Sequence, residues 1–192
     1  MSNFSSDLKI FLQDPDPWAR QSSQPKPLSI LPLGSARYCK QSMFTSDPGS
    51  TFYPPHSNEV KTYALDQDLD AHKKYVSVIE CEDHYPLAYD KIWPNTPVWL
   101  YSTVRMMVQC IANSPIHLNH SPVPNSLIFH DLEGGEIYLD DSVWNPSTNQ
   151  AEHKESGFIS YAPILKMGVQ KITLCSKEWE ACSTWKLELR EI

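Results

Sequence analysis

Residues 184–190 read Thr-Trp-Lys-Leu-Glu-Leu-Arg, so that Trp185, Leu187 and Leu189 alternate with Lys186, Glu188 and Arg190. Successive side chains of a strand point to opposite faces, which puts three large apolar groups on one side and three charges on the other. A sheet with one dry and one solvated face satisfies both sets. Gly157–Tyr161 and Val169–Cys175 alternate in the same way. So does Tyr75–Glu80, with Val76 and Val78 opposed to Tyr75, Ser77 and Ile79, and Val60–Leu65 reads as a further short strand. Leu127–His130 and Glu136–Leu139 flank Asp131-Leu132-Glu133-Gly134-Gly135, where glycine supplies the positive φ that a hairpin loop requires.

One segment reads as a helix. Thr96-Pro97 offers a hydroxyl N-cap and a proline at the first helical position, and Ser114-Pro115 supplies a stop after Asn113. Between them Val104, Met107/Val108 and Ile111 recur at helical spacing, while Trp99, Leu100, Tyr101, Cys110 and Ala112 widen the apolar surface to most of the circumference. The expectation is a buried central helix. An α+β class follows: a single domain over residues 59–192, its antiparallel sheet packed against one or two helices.

The N-terminal third has another composition. Eight of the sixteen prolines fall in residues 1–60, in runs such as Asp14-Pro15-Asp16-Pro17, Pro25-Lys26-Pro27 and Phe52-Tyr53-Pro54-Pro55. Residues 1–58 therefore read as a disordered, proline-rich arm. Its one apolar cluster, Ile30-Leu31-Pro32-Leu33, suits docking on its own domain or in a groove of a neighbouring molecule. With 192 residues, 41% of them hydrophobic, the chain suffices for one core.

Charge narrows the function classes. The net charge is −7, and residues 61–192 hold eleven Lys/Arg against eighteen Asp/Glu, so bulk electrostatic coating of nucleic acid or anionic lipid is disfavoured. Positive charge comes in local pairs, Lys73-Lys74 and Lys166/Lys171. The first 25 residues lack a basic start followed by an apolar run, and no segment approaches the ~18 apolar residues of a membrane span. The expectation is a chain that is neither exported by a cleaved leader nor transmembrane. Five cysteines (39, 81, 110, 175, 182) without short repeated spacings read as reduced thiols.

Sites of chemistry are sparse. His117-x-x-His120 with His130, or Cys175 with Cys182, falls short of the two close ligand pairs of a common zinc site. There is no Gly-x-Ser-x-Gly and no glycine-rich phosphate loop. A nuclease or hydrolase would have to use His84, Glu82 and Asp140-Asp141, the only acidic groupings of note. A plain adaptor offering its proline-rich arm is another alternative. Trp144 and Trp179 stand on loops, Trp144 as a lid on the core and Trp179 as a contact residue.

Tyr89-Asp90-Lys91-Ile92-Trp93, a polar connector, then Val104-Arg105-Met106-Met107-Val108 and the Ser114-Pro115 exit resemble the central segment of rhabdovirus matrix proteins over residues 89–115. Members from animal viruses carry a Pro-Pro-x-Tyr motif and many have a Lys-rich start. This chain has Tyr53-Pro54-Pro55-His56 and an acidic balance, departures that a plant-type or other divergent branch accommodates. The resemblance implies a non-catalytic virion protein without a cofactor, found in host cytoplasm or nucleus and peripheral to membrane. Such a protein self-associates, binds the viral ribonucleoprotein, and links it to the envelope membrane and glycoprotein for budding. Candidate self-association residues are then Ile30, Leu31, Pro32, Leu33 and Trp179. Candidate nucleocapsid or membrane contacts are Lys73, Lys74, Lys166 and Lys171.

Overall fold

The computed structural model describes residues 8–12, 38–46, 74–83, 92–177 and 182–192. Among these, every regular element is a strand except one 3-10 turn, Asp141–Val143. The largest sheet has six antiparallel strands in the order β1 (Lys9–Phe11), β4 (Pro97–Tyr101), β12 (Ile164–Lys177), β13 (Cys182–Glu191), β3 (Lys74–Asp83) and β2 (Tyr38–Ser46). A second sheet orders β5 (Met106–Cys110), β11 (Gly157–Tyr161), β7 (Ile128–His130) and β8 (Glu136–Tyr138). The third joins three two-residue strands, β6 (Ile116–His117), β10 (Gln150–Ala151) and β9 (Trp144–Asn145).

The α+β expectation is therefore corrected: the central helix is two strands serving two different sheets. Val98 and Leu100 of β4 are fully buried on one side, while Trp99 lies half-buried on the other. Beyond Tyr101 the chain turns a corner, held by Gln41 of β2. Its Oε1 accepts from Thr103 N at 2.8 Å and its Nε2 donates to the hydroxyls of Ser77 and Ser102, both at 3.1 Å. The Thr96 hydroxyl closes a turn instead of capping a helix, accepting from Trp93 N at 2.9 Å, and Asn95 takes φ 70° there. A short run that is apolar on all sides carries no period that separates a buried helix from a strand covered on both faces. The β-branched and aromatic residues Val98, Trp99, Tyr101 and Val108 favour the strand.

Two strands come from the stretch read as an arm. β1 pairs with β4, placing the fully buried Ile10 opposite Leu100, and β2 pairs with β3 along its whole length. Composition averaged over 58 residues hides such alternating segments between the prolines. The strand expected at 60–65 and the cluster Ile30–Leu33 lie outside the described residues, as do Lys73, His84 and Trp179.

Other readings correspond closely. The hairpin at 127–139 forms with Ile128 opposite Tyr138, Phe129 opposite Ile137 and His130 opposite Glu136; Gly134 takes φ 92° and Asp131 Oδ1 accepts from Glu133 N and Gly135 N. Trp144 is buried, its Nε1 donating to Asn149 Oδ1 at 2.9 Å. The polar stretch 145–156 is interrupted by β10. The expectation of reduced thiols throughout is also corrected, because Cys81 is disulfide-bonded; it stands directly across the β2–β3 ladder from Cys39. Positions 42 residues apart give no sign in sequence that a ladder will bring them together. Cys110 and Cys175 are free thiols, and burial pushes that of Cys110 up from its ordinary range.

Among the described residues two large apolar cores result, beside a small cluster of Phe11, Tyr101, Val123 and Ala162 against β1 and β4. One lies against the six-stranded sheet and includes Ile10, Ile79, Leu100, Leu165, Met167, Trp185, Leu187 and Leu189. The other gathers Leu118, Leu127, Phe129, Trp144, Ile159 and Tyr161 from the smaller sheets, and Met106 packs against both.

Candidate functional site

The charges of β13 point away from the core, as the alternation requires, and the ladder decides their company. Lys186 stands between Glu80 and Thr173, and Lys40 follows beyond Glu80. The next row outward reads Ser42, Val78, Glu188, Lys171, and the next Phe44, Val76, Arg190, Gly168, Pro97. Lys166, Trp99 and Phe11 form another row, and Ile164, Tyr101 and Lys9 the last. Lys74 shares the outward parity of Val76 and is exposed.

Among the described side chains this one face therefore carries Lys9, Lys40, Lys74, Lys166, Lys171, Lys186 and Arg190 against Glu80, Glu82 and Glu188. Seven cations to three carboxylates, on a chain of net charge −7, segregates charge strongly. Three of the four basic candidates from the sequence, Lys74, Lys166 and Lys171, are brought onto it. Lys9, Lys40, Lys186 and Arg190 were missed, although the outward parity of Lys186 and Arg190 was legible; what could not be read was which strands would lie alongside.

A β-bulge makes the convergence possible. Lys166 and Lys171 are five residues apart, which in a regular strand places them on opposite faces. The register of β12 against β13 shifts between Val169 and Lys171, so Val169 keeps its place opposite buried Leu189 while Lys171 falls opposite outward Glu188. The extra residue, Gln170, changes the parity, and Ile172 then packs inward.

Within the face, Lys186 Nζ lies 3.1 Å from Glu80 Oε1 and 3.9 Å from Glu188 Oε1. These are exposed pairs, worth roughly 0–1 kcal/mol each. Lys166 Nζ sits 5.5 Å from the centroid of the Trp99 ring, and Phe44 is 53% exposed on the same face. A depression of about 340 Å³ opens between Lys40, Glu80, Lys186 and Cys175. Clustered positive charge of this kind favours the approach of anions over cations, and the exposed aromatic rings add apolar contact area.

The outward face of the four-stranded sheet is different. Ser160 accepts from Arg105 Nε at 3.2 Å and Nη2 at 3.0 Å, and its hydroxyl lies 2.7 Å from His130 Nε2. His130 Nδ1 is 3.5 Å from Glu136 Oε1, and Arg105 Nη2 also donates to the carbonyls of Ser126 and Ser160. Burial pulls the Arg105 guanidinium down from its ordinary value, with Tyr138 and Glu136 opposing. The order serine, histidine, glutamate is that of a nucleophile and its base. Ser160 is only 2% exposed, however, and its oxygen already receives two guanidinium bonds, so the arrangement acts as a knot joining strands. Beside it, a cavity of about 390 Å³ is rimmed by Met107 and Tyr138, both more than half exposed.

The remaining polar candidates have local duties. Asp140 Oδ1 accepts from Ser142 N at 2.9 Å, and that bond holds its carboxyl below the ordinary range. Both oxygens of Asp141 accept from Asn125 N, while burial raises its value. Glu82, on the six-stranded sheet, belongs to a different sheet face from either. His120 pairs with Glu191 at 3.6 Å and His130 with Ser160, and no three His, Cys, Asp or Glu converge among the described residues. Comparison of the chain with protein-family models, with characterised proteins and with solved structures finds no match.

Proposed function

We propose that this chain is a non-catalytic structural protein that works by self-association and by presenting its basic sheet face to an anionic assembly partner. The observation that carries the reading is charge segregation: an acidic chain gathers seven cations against three carboxylates on one face of its largest sheet. In the specific form that the sequence resemblance suggests, it is a matrix protein. It condenses a viral ribonucleoprotein and links it to the envelope membrane and glycoprotein. The segment that suggested this, 89–115, contributes strands β4 and β5 instead of a helix, so the function rests on the face and not on a shared helical element. The sealed Ser160 hydroxyl and the local roles of Asp140 and Asp141 favour a non-enzymatic role.

The test is co-sedimentation of Lys166→Glu/Lys171→Glu with purified ribonucleoprotein and, separately, with vesicles containing anionic lipid. Both lysines are exposed, so the fold should survive. A lysine near an anionic surface contributes about 1 kcal/mol, so reversal of two predicts at least a roughly tenfold loss with one of these partners, and a steep salt dependence in the unmodified chain. Unchanged binding to both would sink the proposal.

A further inference from the structure

A strand at the margin of a sheet leaves one row of backbone N–H and C=O groups unpaired, and proteins protect such margins with charge, proline, bulges or a cover. In the two larger sheets the marginal strands are β1, β2, β5 and β8. Lys9 lies in β1, Lys40 in β2 and Glu136 in β8, and the β8 hairpin adds Asp131, Glu133, Asp140 and Asp141 around it. β5 reads Met-Met-Val-Gln-Cys, with no charge and no proline, and residues 106–130 contain no Asp, Glu, Lys or Arg. Its ladder runs to β11 alone, and among the described residues no backbone hydrogen bond is made on its other side. Met107 is 57% exposed, and Phe158, diagonal to it on β11, is also exposed on the same face.

We propose that β5 pairs antiparallel with β5 of a second copy about a two-fold axis, joining two four-stranded sheets into one of eight strands. The unpaired backbone row specifies an extended strand as the occupant. A second copy fits this row, because a two-fold axis sets the same uncharged sequence on both sides of the seam and no like charges meet there although each molecule carries −7. A two-fold axis normal to the sheet keeps outer face against outer face. The exposed Met107 and Phe158 of both copies then merge into one apolar patch. This deepens the self-association part of the function proposed above and is independent of the basic face.

Sedimentation equilibrium of the full chain should show a dimer that tightens with salt, because shortening the screening length from about 10 Å at 0.1 M to about 3 Å at 1 M removes repulsion. Met107→Lys and Gln109→Lys, both at exposed positions, should each weaken it at least tenfold, while Ile137→Lys on β8 leaves it intact. Hydrogen exchange on the unmodified chain should show protection of amides in 106–110 that grows with protein concentration. This arm holds even if a variant fails to fold. A chain that is monomeric at every concentration overturns the inference. So does concentration-independent exchange in β5, or a dimer lost with Leu31→Ser/Leu33→Ser yet indifferent to both lysine variants.

Discussion

Ser160 shows how much one small side chain can hold. It takes hydrogen bonds from Arg105 and shares one with His130, so its hydroxyl joins the start of β5 to β11 and β7. Ser160→Ala leaves a half-buried guanidinium and an imidazole short of a partner, and the expected cost is about 1–3 kcal/mol, read as a lower midpoint in urea. His120 gives a pH dependence. Burial, opposed by Glu191, holds its imidazole below the ordinary value in the folded chain, so the unfolded chain takes up a proton first as pH falls. That contribution to stability is complete above about pH 6.5 and is lost progressively below it. His120→Gln should flatten the part of the urea-midpoint decline between pH 7 and 5 that this residue causes; an unaltered slope would remove His120 from the account. Neither role was legible in the sequence, where both residues stand among other serines and histidines without a distinguishing spacing.

At the scale of elements, the strands with a clean period of two were legible and the one with an even apolar coat was not. β3, β11 and β13 follow from alternation, and the β7–β8 hairpin from its glycines. β4 and β5 failed because an uninterrupted apolar run has helical and strand solutions of similar local energy, and the neighbouring sheets decide between them. The bulge in β12 is the element whose consequence reaches furthest. Deleting Gln170, the extra residue, leaves a regular ladder in which Val169 stays inward, Lys171 outward and Ile172 inward. The deletion should therefore keep a cooperative thermal transition and leave Lys171 on the basic face. Loss of the cooperative transition would show that the strand needs the bulge itself and not only the parity it sets.

Across the whole molecule, sequence and tertiary structure divide the outcome along a physical line. The sequence by itself determined that the chain builds one-sided sheets and turns a glycine hairpin at 131–135. It also fixed an acidic balance in which contact with another anionic body must be local, because these follow from side-chain period, backbone freedom and charge count, all local or additive properties. Only the tertiary structure decided that residues 9–11 and 38–46 flank the main sheet, that Cys81 meets a disulfide partner, and that seven basic residues from five strands share a face. Each of those depends on which strands lie side by side and in what register. Pairing is a long-range choice, made by the burial of Ile10, Leu100, Leu187 and their neighbours across the chain, and no residue carries the address of the one it will face.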